Sequence, residues 1–213
     1  DFLPIMQWLD QNMNLIVMGW AVGLILFALR LFVGLLYVQH IRLTATPLAD
    51  ELQQMVKTLA GSLSLKKPVL IASTQKLHTP VVVGYLKPMI LFPVSMVTGL
   101  SIKQIEAIIL HELSHIKRHD YLVNLFQSIA EIIFFFNPFV WLMSNQMRNE
   151  RENCCDDLAI DKTSDPRSYA ETLLHLEELR MGKLMPALSM QGTKNQLRQR
   201  IQRIMEKSMQ TNN

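Results

Sequence analysis

At 213 residues the chain has room for one catalytic domain with attached membrane segments, and it starts at Asp1 rather than Met, as a processed or excised portion of something longer would. Its 49% apolar content and mean hydropathy of +0.16 are too high for a typical soluble domain and too low for a channel-like bundle, leaving a soluble domain joined to lipid-contacting helices. A net charge of +3, with no basic stripe and no nucleic-acid motif, speaks against direct nucleic-acid binding.

Leu15 to Val38 is an apolar stretch interrupted only by Arg30. At helical rise it exceeds the ~30 Å of a bilayer's hydrocarbon, so it reads as a transmembrane helix rather than a buried core helix. Arg30 is close enough to its C-terminal end to snorkel or to face another helix. Asp1 and Asp10 precede the stretch and no basic region does, which argues against a secretory signal. Arg42, Lys57, Lys66, Lys67 and Lys76 follow it, so the positive-inside rule puts the chain after Val38 in the cytoplasm. The expected organisation is an N-terminal segment, residues 1–46, and a cytoplasmic domain, residues 47–213.

Residues 47–60 read as an amphipathic helix opened by Pro47 and closed near Gly61. Pro68–Ala72, Pro80–Gly84 and Met89–Phe92 read as short strands, the last two joined by a turn over Gly84–Pro88. Ser101 caps the next helix, which runs into His-Glu-Leu-Ser-His at 111–115. On a helix, residues i and i+4 lie on one face, so two imidazoles at that spacing can share one zinc at ~2.0–2.1 Å. Glu112, displaced by about 100°, reaches a water beside that zinc and serves as general base.

A catalytic zinc takes a third protein ligand and keeps one position open. His119 lies more than two turns beyond His111 and reads as a surface or interfacial histidine; Tyr121 stands where the metzincin pattern needs its third His. Glu152 is the better ligand. It forms an i, i+4 pair with Asp156, which can accept the free ring N–H of a ligand histidine. Taken alone, this pair reads as a solvated acidic face; with the histidines upstream it reads as ligand and supporting carboxylate. The two cysteines, Cys154 and Cys155, are neighbours, so they form no disulfide framework, suit a reducing compartment and make a poor thiolate metal site.

His-Glu-Leu-Ser-His-Ile-Lys-Arg-His-Asp, followed by Arg-Glu-Asn-Cys-Cys-Asp-Asp, resembles the M56 peptidases, the family of the β-lactam sensor-transducers BlaR and MecR. Gly84–Pro93 is similar to that family's substrate-side strands, and Arg167–Leu174 is similar too; the likeness covers roughly residues 15–205. The resemblance implies a gluzincin-type site with one catalytic Zn2+ ion and a protease domain inserted among transmembrane helices. It also implies signalling by cleavage of a cytoplasmic transcriptional repressor, of the protein itself, or of both, at the bacterial inner membrane, and admits a homodimer. No penicillin-binding sensor lies within these residues, so β-lactam sensing is not carried over. The M48 membrane peptidases, with broader quality-control substrates, are the nearest confusable family. A non-catalytic scaffold with a structural zinc is a third reading, opposed by the intact Glu112.

Residues 121–147 are strongly apolar around Asn137-Pro138. A simple span would strand Glu152 across the bilayer from His111 and His115, so the segment must return as a re-entrant hairpin turning near Asn137-Pro138. Each arm, at ~20–25 Å, is short for a full crossing. Asn124, Gln127, Ser128 and Glu131 form a polar stripe that should face protein or a hydrated cavity. The fold expected is α+β, mainly α with a small sheet. A substrate strand would lie along Val82, Val83 and Gly84, pairing through its backbone. Tyr169, Arg167 and His175 are unranked candidates for stabilising an oxyanion.

Overall fold

The computed structural model describes residues 3–181 and 190–211. Helix α1 (Leu3–Thr44) is followed by strand β1 (Thr46–Pro47), helix α2 (Asp50–Ser62), and strands β2 (Leu70–Thr74), β3 (Val81–Val83) and β4 (Met89–Pro93). Helices α3 (Val94–Gly99), α4 (Ile102–Lys117), α5 (Asp120–Ile133), α6 (Pro138–Thr163), α7 (Pro166–Met181) and α8 (Met190–Thr211) complete the described chain.

The apolar stretch expected over Leu15–Val38 lies inside a much longer helix. Pro4 stands in the first turn of α1, where a missing N–H costs nothing, and no breaker follows until Thr44. From Pro4 to Thr44 the helix is long and apolar enough to cross a membrane, with a mean hydropathy of 2.4 in its most apolar window and none of that window buried. Pro47, expected to open α2, instead belongs to β1 and pairs with Ala72 of β2. Helix α2 starts later, at Asp50, with Asp50 and Glu51 in its first turn where the helix dipole favours negative charge.

The sheet has the order β1-β2-β4-β3. Strands β2 and β4 run parallel, Leu70 facing Met89, while β3 runs antiparallel to β4 with Val82 opposite Ile90. Strand β3 is therefore an edge, with one side unpaired among the described residues. Helix α4 packs on this sheet. Ser101 and Gln104 form a reciprocal capping box at its start, and Ile105, Ile109 and Leu113 are buried against Ile71, Ile90 and Phe92. Tyr169 and Leu173 of α7 and Ile204 of α8 close the same core.

Helices α5 and α6 form the hairpin. Asn137 is the N-cap of α6, its Oδ1 accepting from Phe139 N at 3.0 Å, and Pro138 occupies the first helical position. The second arm does not stop near residue 147: α6 continues to Thr163 and carries Glu152 and Asp156 on the same helix. Within the polar stripe, Gln127 is buried and donates to Ser144 O (2.9 Å), and Glu131 pairs with Arg148 (2.8 Å), so both face α6. Asn124 is exposed but lines the cavity that His111 and His115 also line, and Ser128 bonds back to the Asn124 carbonyl. Helix α1 packs along the hairpin tip. Phe27 stacks on Phe135 with centroids 5.3 Å apart, and Trp141 Nε1 donates to Phe135 O at 2.8 Å. The Phe135 ring lies so close to Gly23 that a Cβ there has no room.

Candidate metal centre

Helix α4 presents His111 and His115 on one face, their rings 5.0 Å apart and edge to face. Helix α6 brings Glu152 between them: His111 Nε2 is 3.4 Å from Glu152 Oε2, and His115 Nε2 is 3.8 Å from Glu152 Oε1. One ligand atom from each of the three lies within 4.8 Å of the others. Ligand atoms at ~2.0–2.1 Å in a tetrahedron around zinc stand roughly 3.3 Å apart, so these spacings fit one such ion.

The far side of each ring is held. His111 Nδ1 lies 2.9 Å from the Tyr169 hydroxyl and 3.2 Å from Asp156 Oδ1, and that hydroxyl donates to Asp156 at 2.7 Å. His115 Nδ1 lies 2.8 Å from Asp120 Oδ2, with Cys155 Sγ at 3.2 Å from the same nitrogen. With both Nδ1 atoms engaged by carboxylates, both Nε2 atoms are left to point at the shared point, the tautomer a metal ligand needs. Arg200 of α8 grips Asp156 through Nε (2.8 Å) and Nη2 (2.6 Å) and sets Nη1 3.3 Å from Glu152.

The electrostatics favour a cation. Burial works against a charged His111, but its bonds to Asp156 and Glu152 outweigh burial and raise its pKa to about 10. Glu152 resists burial in the same way, its contacts with His111 and Arg200 lowering it to about 2. Asp156 is likewise held well below the usual carboxylate range, burial being overcome by Arg200 and His111. The carboxylates that raise His111 also place negative charge beside the two Nε2 atoms. Glu112 differs. It is buried, makes no hydrogen bond among the described residues, and burial pushes its pKa up, toward the range a general base needs.

His111, Glu112, His115, Glu152 and Arg200 line a cavity of about 530 Å³. Val82 and Gly84 of the β3 edge form part of its wall, whereas Val83 turns to the opposite face and packs with Ile41, Ala72 and Leu91. Gly84 has φ +83°, a conformation that favours glycine and lets the chain leave the strand. His119 is not among the ligand groups. It is the left-handed residue between α4 and α5 (φ 58°) and meets Tyr85 edge-on at the cavity rim.

Of the three oxyanion candidates only Tyr169 lines the cavity, and its hydroxyl is already engaged. Tyr169 is committed to His111 and Asp156, Arg167 is exposed and bonds Glu171, and His175 lies against Gln104. Sequence spacing does not point to Asp120 or Arg200. Asp120 reaches His115 only because the chain reverses at His119, and Arg200 comes from 44 residues beyond Asp156. Neither distance in sequence carries a helical or strand signal. For Asp120, a carboxylate just past the histidine helix was the only cue.

The chain belongs to the BlaR1 peptidase M56 family, whose model matches residues 3–204. It is 28% identical over 156 residues to the regulatory protein BlaR1 of Bacillus licheniformis, covering 71% of this chain and 26% of that protein. It is 36% identical over 111 residues to the methicillin resistance mecR1 protein of Staphylococcus aureus (strain Mu50), covering 51% of this chain and 19% of that one. The chain thus matches about a quarter or less of the length of these two relatives. Among solved structures, S. mikatae Ste24p is similar in fold at a TM-score of 0.52 and 15% identity, over 92% of this chain and 65% of that one.

Proposed function

We propose that this chain is the catalytic part of a membrane-bound zinc endopeptidase, with His111, His115 and Glu152 as metal ligands and Glu112 as general base. The observation that carries the reading is the pair of Nε2 atoms converging on Glu152 while carboxylates hold both Nδ1 atoms. Bound there, Zn2+ supplies Lewis-acid polarisation of a carbonyl and lowers the pKa of a water. Glu112 takes the proton from the attacking water onto its carboxylate and delivers it to the leaving amide nitrogen as the C–N bond breaks. Asp156, through Tyr169, and Asp120 hold the two rings against rotation. The free edge of β3 aligns an extended substrate by backbone hydrogen bonds.

The substrate fitting the family is a cytoplasmic protein, a transcriptional repressor or the chain itself. Residues 1–46 would anchor a cytoplasmic domain, residues 47–213, whose hairpin dips into lipid from the same side. A buried, unpartnered Glu112 beside the ligands favours catalysis over a structural zinc, which has no use for a base. Glu112→Gln should keep stoichiometric zinc and lose peptide hydrolysis by roughly 10²–10⁴-fold, since Gln cannot accept the proton. Near-normal turnover of that variant in detergent would refute the assignment. Comparing the proteomes of cells with active and Glu112→Gln protein separates one repressor substrate from a broad set.

A further inference from the structure

The cavity that holds the candidate metal centre is lined by four Lys or Arg side chains, and three of them are committed. Lys67 donates to Tyr85 O at 3.0 Å, Arg180 pairs with Glu177 at 2.6 Å, and Arg200 grips Asp156 and Glu152. The Arg151 side chain makes no hydrogen bond and no ion pair among the described residues, and its Nη1 is buried with no partner. Only two other buried side-chain atoms among the described residues lack a partner, and one of these, Arg180 Nε, is also a guanidinium donor on this cavity. A guanidinium cannot shed its proton to escape such a position, and a buried donor left without an acceptor is destabilising. Of the four cationic side chains on the cavity wall, Arg151 is therefore the one with no partner among the described residues, and so the one available to an acceptor that enters the cavity.

Arg151 directly precedes Glu152, so its backbone lies ~3.8 Å from that of the proposed ligand and its side chain leaves α6 about 100° around the helix. An anion held by Arg151 therefore sits within a few residues of the bond to be cut. The remaining wall, which includes Ile108, Leu173 and Leu176 as well as Val81 and Val82 of β3, suits the side chains of an extended peptide rather than a small free anion. We propose that Arg151 is a specificity-determining residue, selecting substrates that carry an Asp or Glu side chain close to the scissile bond. This rests on reading the cavity as a peptide site.

The test uses the full chain carrying Glu112→Gln, in detergent with zinc, and fluorescein-labelled nonapeptide pools of random sequence. One pool has Asp or Glu fixed at a position scanned along the peptide; its partner has Asn or Gln there. Binding by fluorescence polarisation should show a position at which the acidic pool binds roughly 10-fold tighter or more, the worth of a charged hydrogen bond. Adding Arg151→Met should collapse the preference to under about twofold while leaving the amide pool's affinity in place. Adding Arg151→Glu should reverse the preference, so that the amide pool binds tighter than the acidic pool at the same position. No acidic preference at any position, or one that survives Arg151→Met, overturns the proposal. Wild-type protein that cleaves none of the pools, beside a Glu112→Gln protein that still prefers acidic ones, overturns proteolysis and leaves the Arg151 subsite standing.

Discussion

The two halves of helix α6 are made for different surroundings. Its first turns carry Phe139, Leu142 and Met143, which are 70%, 64% and 67% exposed, a run of uncovered apolar side chains. Its last turns carry Cys155, Asp156 and Ala159, all fully buried, with Asp156 tied to Arg200 and Tyr169. One end looks outward and apolar, the other inward and charged, and the helix is continuous between them. Whatever fixes the apolar end against α1 also fixes where Glu152 stands relative to α4. The hairpin therefore links an exposed apolar tip to the helix that carries Glu152.

The inward end should be the more fragile. Asp156→Asn leaves Arg200 buried without its main carboxylate, and breaking one partner of such a pair costs about 3–5 kcal/mol. Thermal unfolding in detergent should show that loss together with reduced zinc retention. Unchanged stability would mean the Arg200 grip contributes nothing.

At the outward end, Leu142→Asp should be nearly silent in detergent. In a bilayer it should cost about 2.5–3.5 kcal/mol, if residue 142 faces hydrocarbon. Unfolding measured in lipid nanodiscs and in detergent separates the two cases; equal effects in both would place the tip outside the membrane.

The smallest effect tests the coupling between ends. Gly23→Ala puts a methyl where the Phe135 ring packs, an overpacking worth about 1–3 kcal/mol. The account expects a modest fall in stability and a measurable fall in zinc affinity, although Gly23 belongs to α1 and not to the site. Zinc affinity equal to wild type would show that the tip does not position Glu152.

Much of this architecture is legible from local pattern. The i, i+4 histidines, the Ser101 cap, the three short strands and the Asn137-Pro138 turn each follow from a rule acting over a few residues. Residues that depend on distant chain segments were not legible. Pro47 reads as a helix opener until β2 offers it a partner strand. Asp120 and Arg200 acquire their roles only when α5 reverses at His119 and α8 lies across α6, and no spacing announces either event. Tyr169 was noticed, but for oxyanion work rather than for orienting His111, because its burial between α4 and α6 is a tertiary fact.

The central claim is that two imidazoles and one carboxylate converge on a single ion. Zinc K-edge absorption spectroscopy of the full chain in detergent tests it most directly, alongside the Glu152→Ala variant. The account predicts two imidazole nitrogens and further oxygen at ~2.0–2.2 Å, no sulfur, and loss of bound zinc in Glu152→Ala. A sulfur neighbour at ~2.3 Å would place the ion against Cys155 instead, and an unchanged spectrum with full zinc in Glu152→Ala would remove that carboxylate from the site.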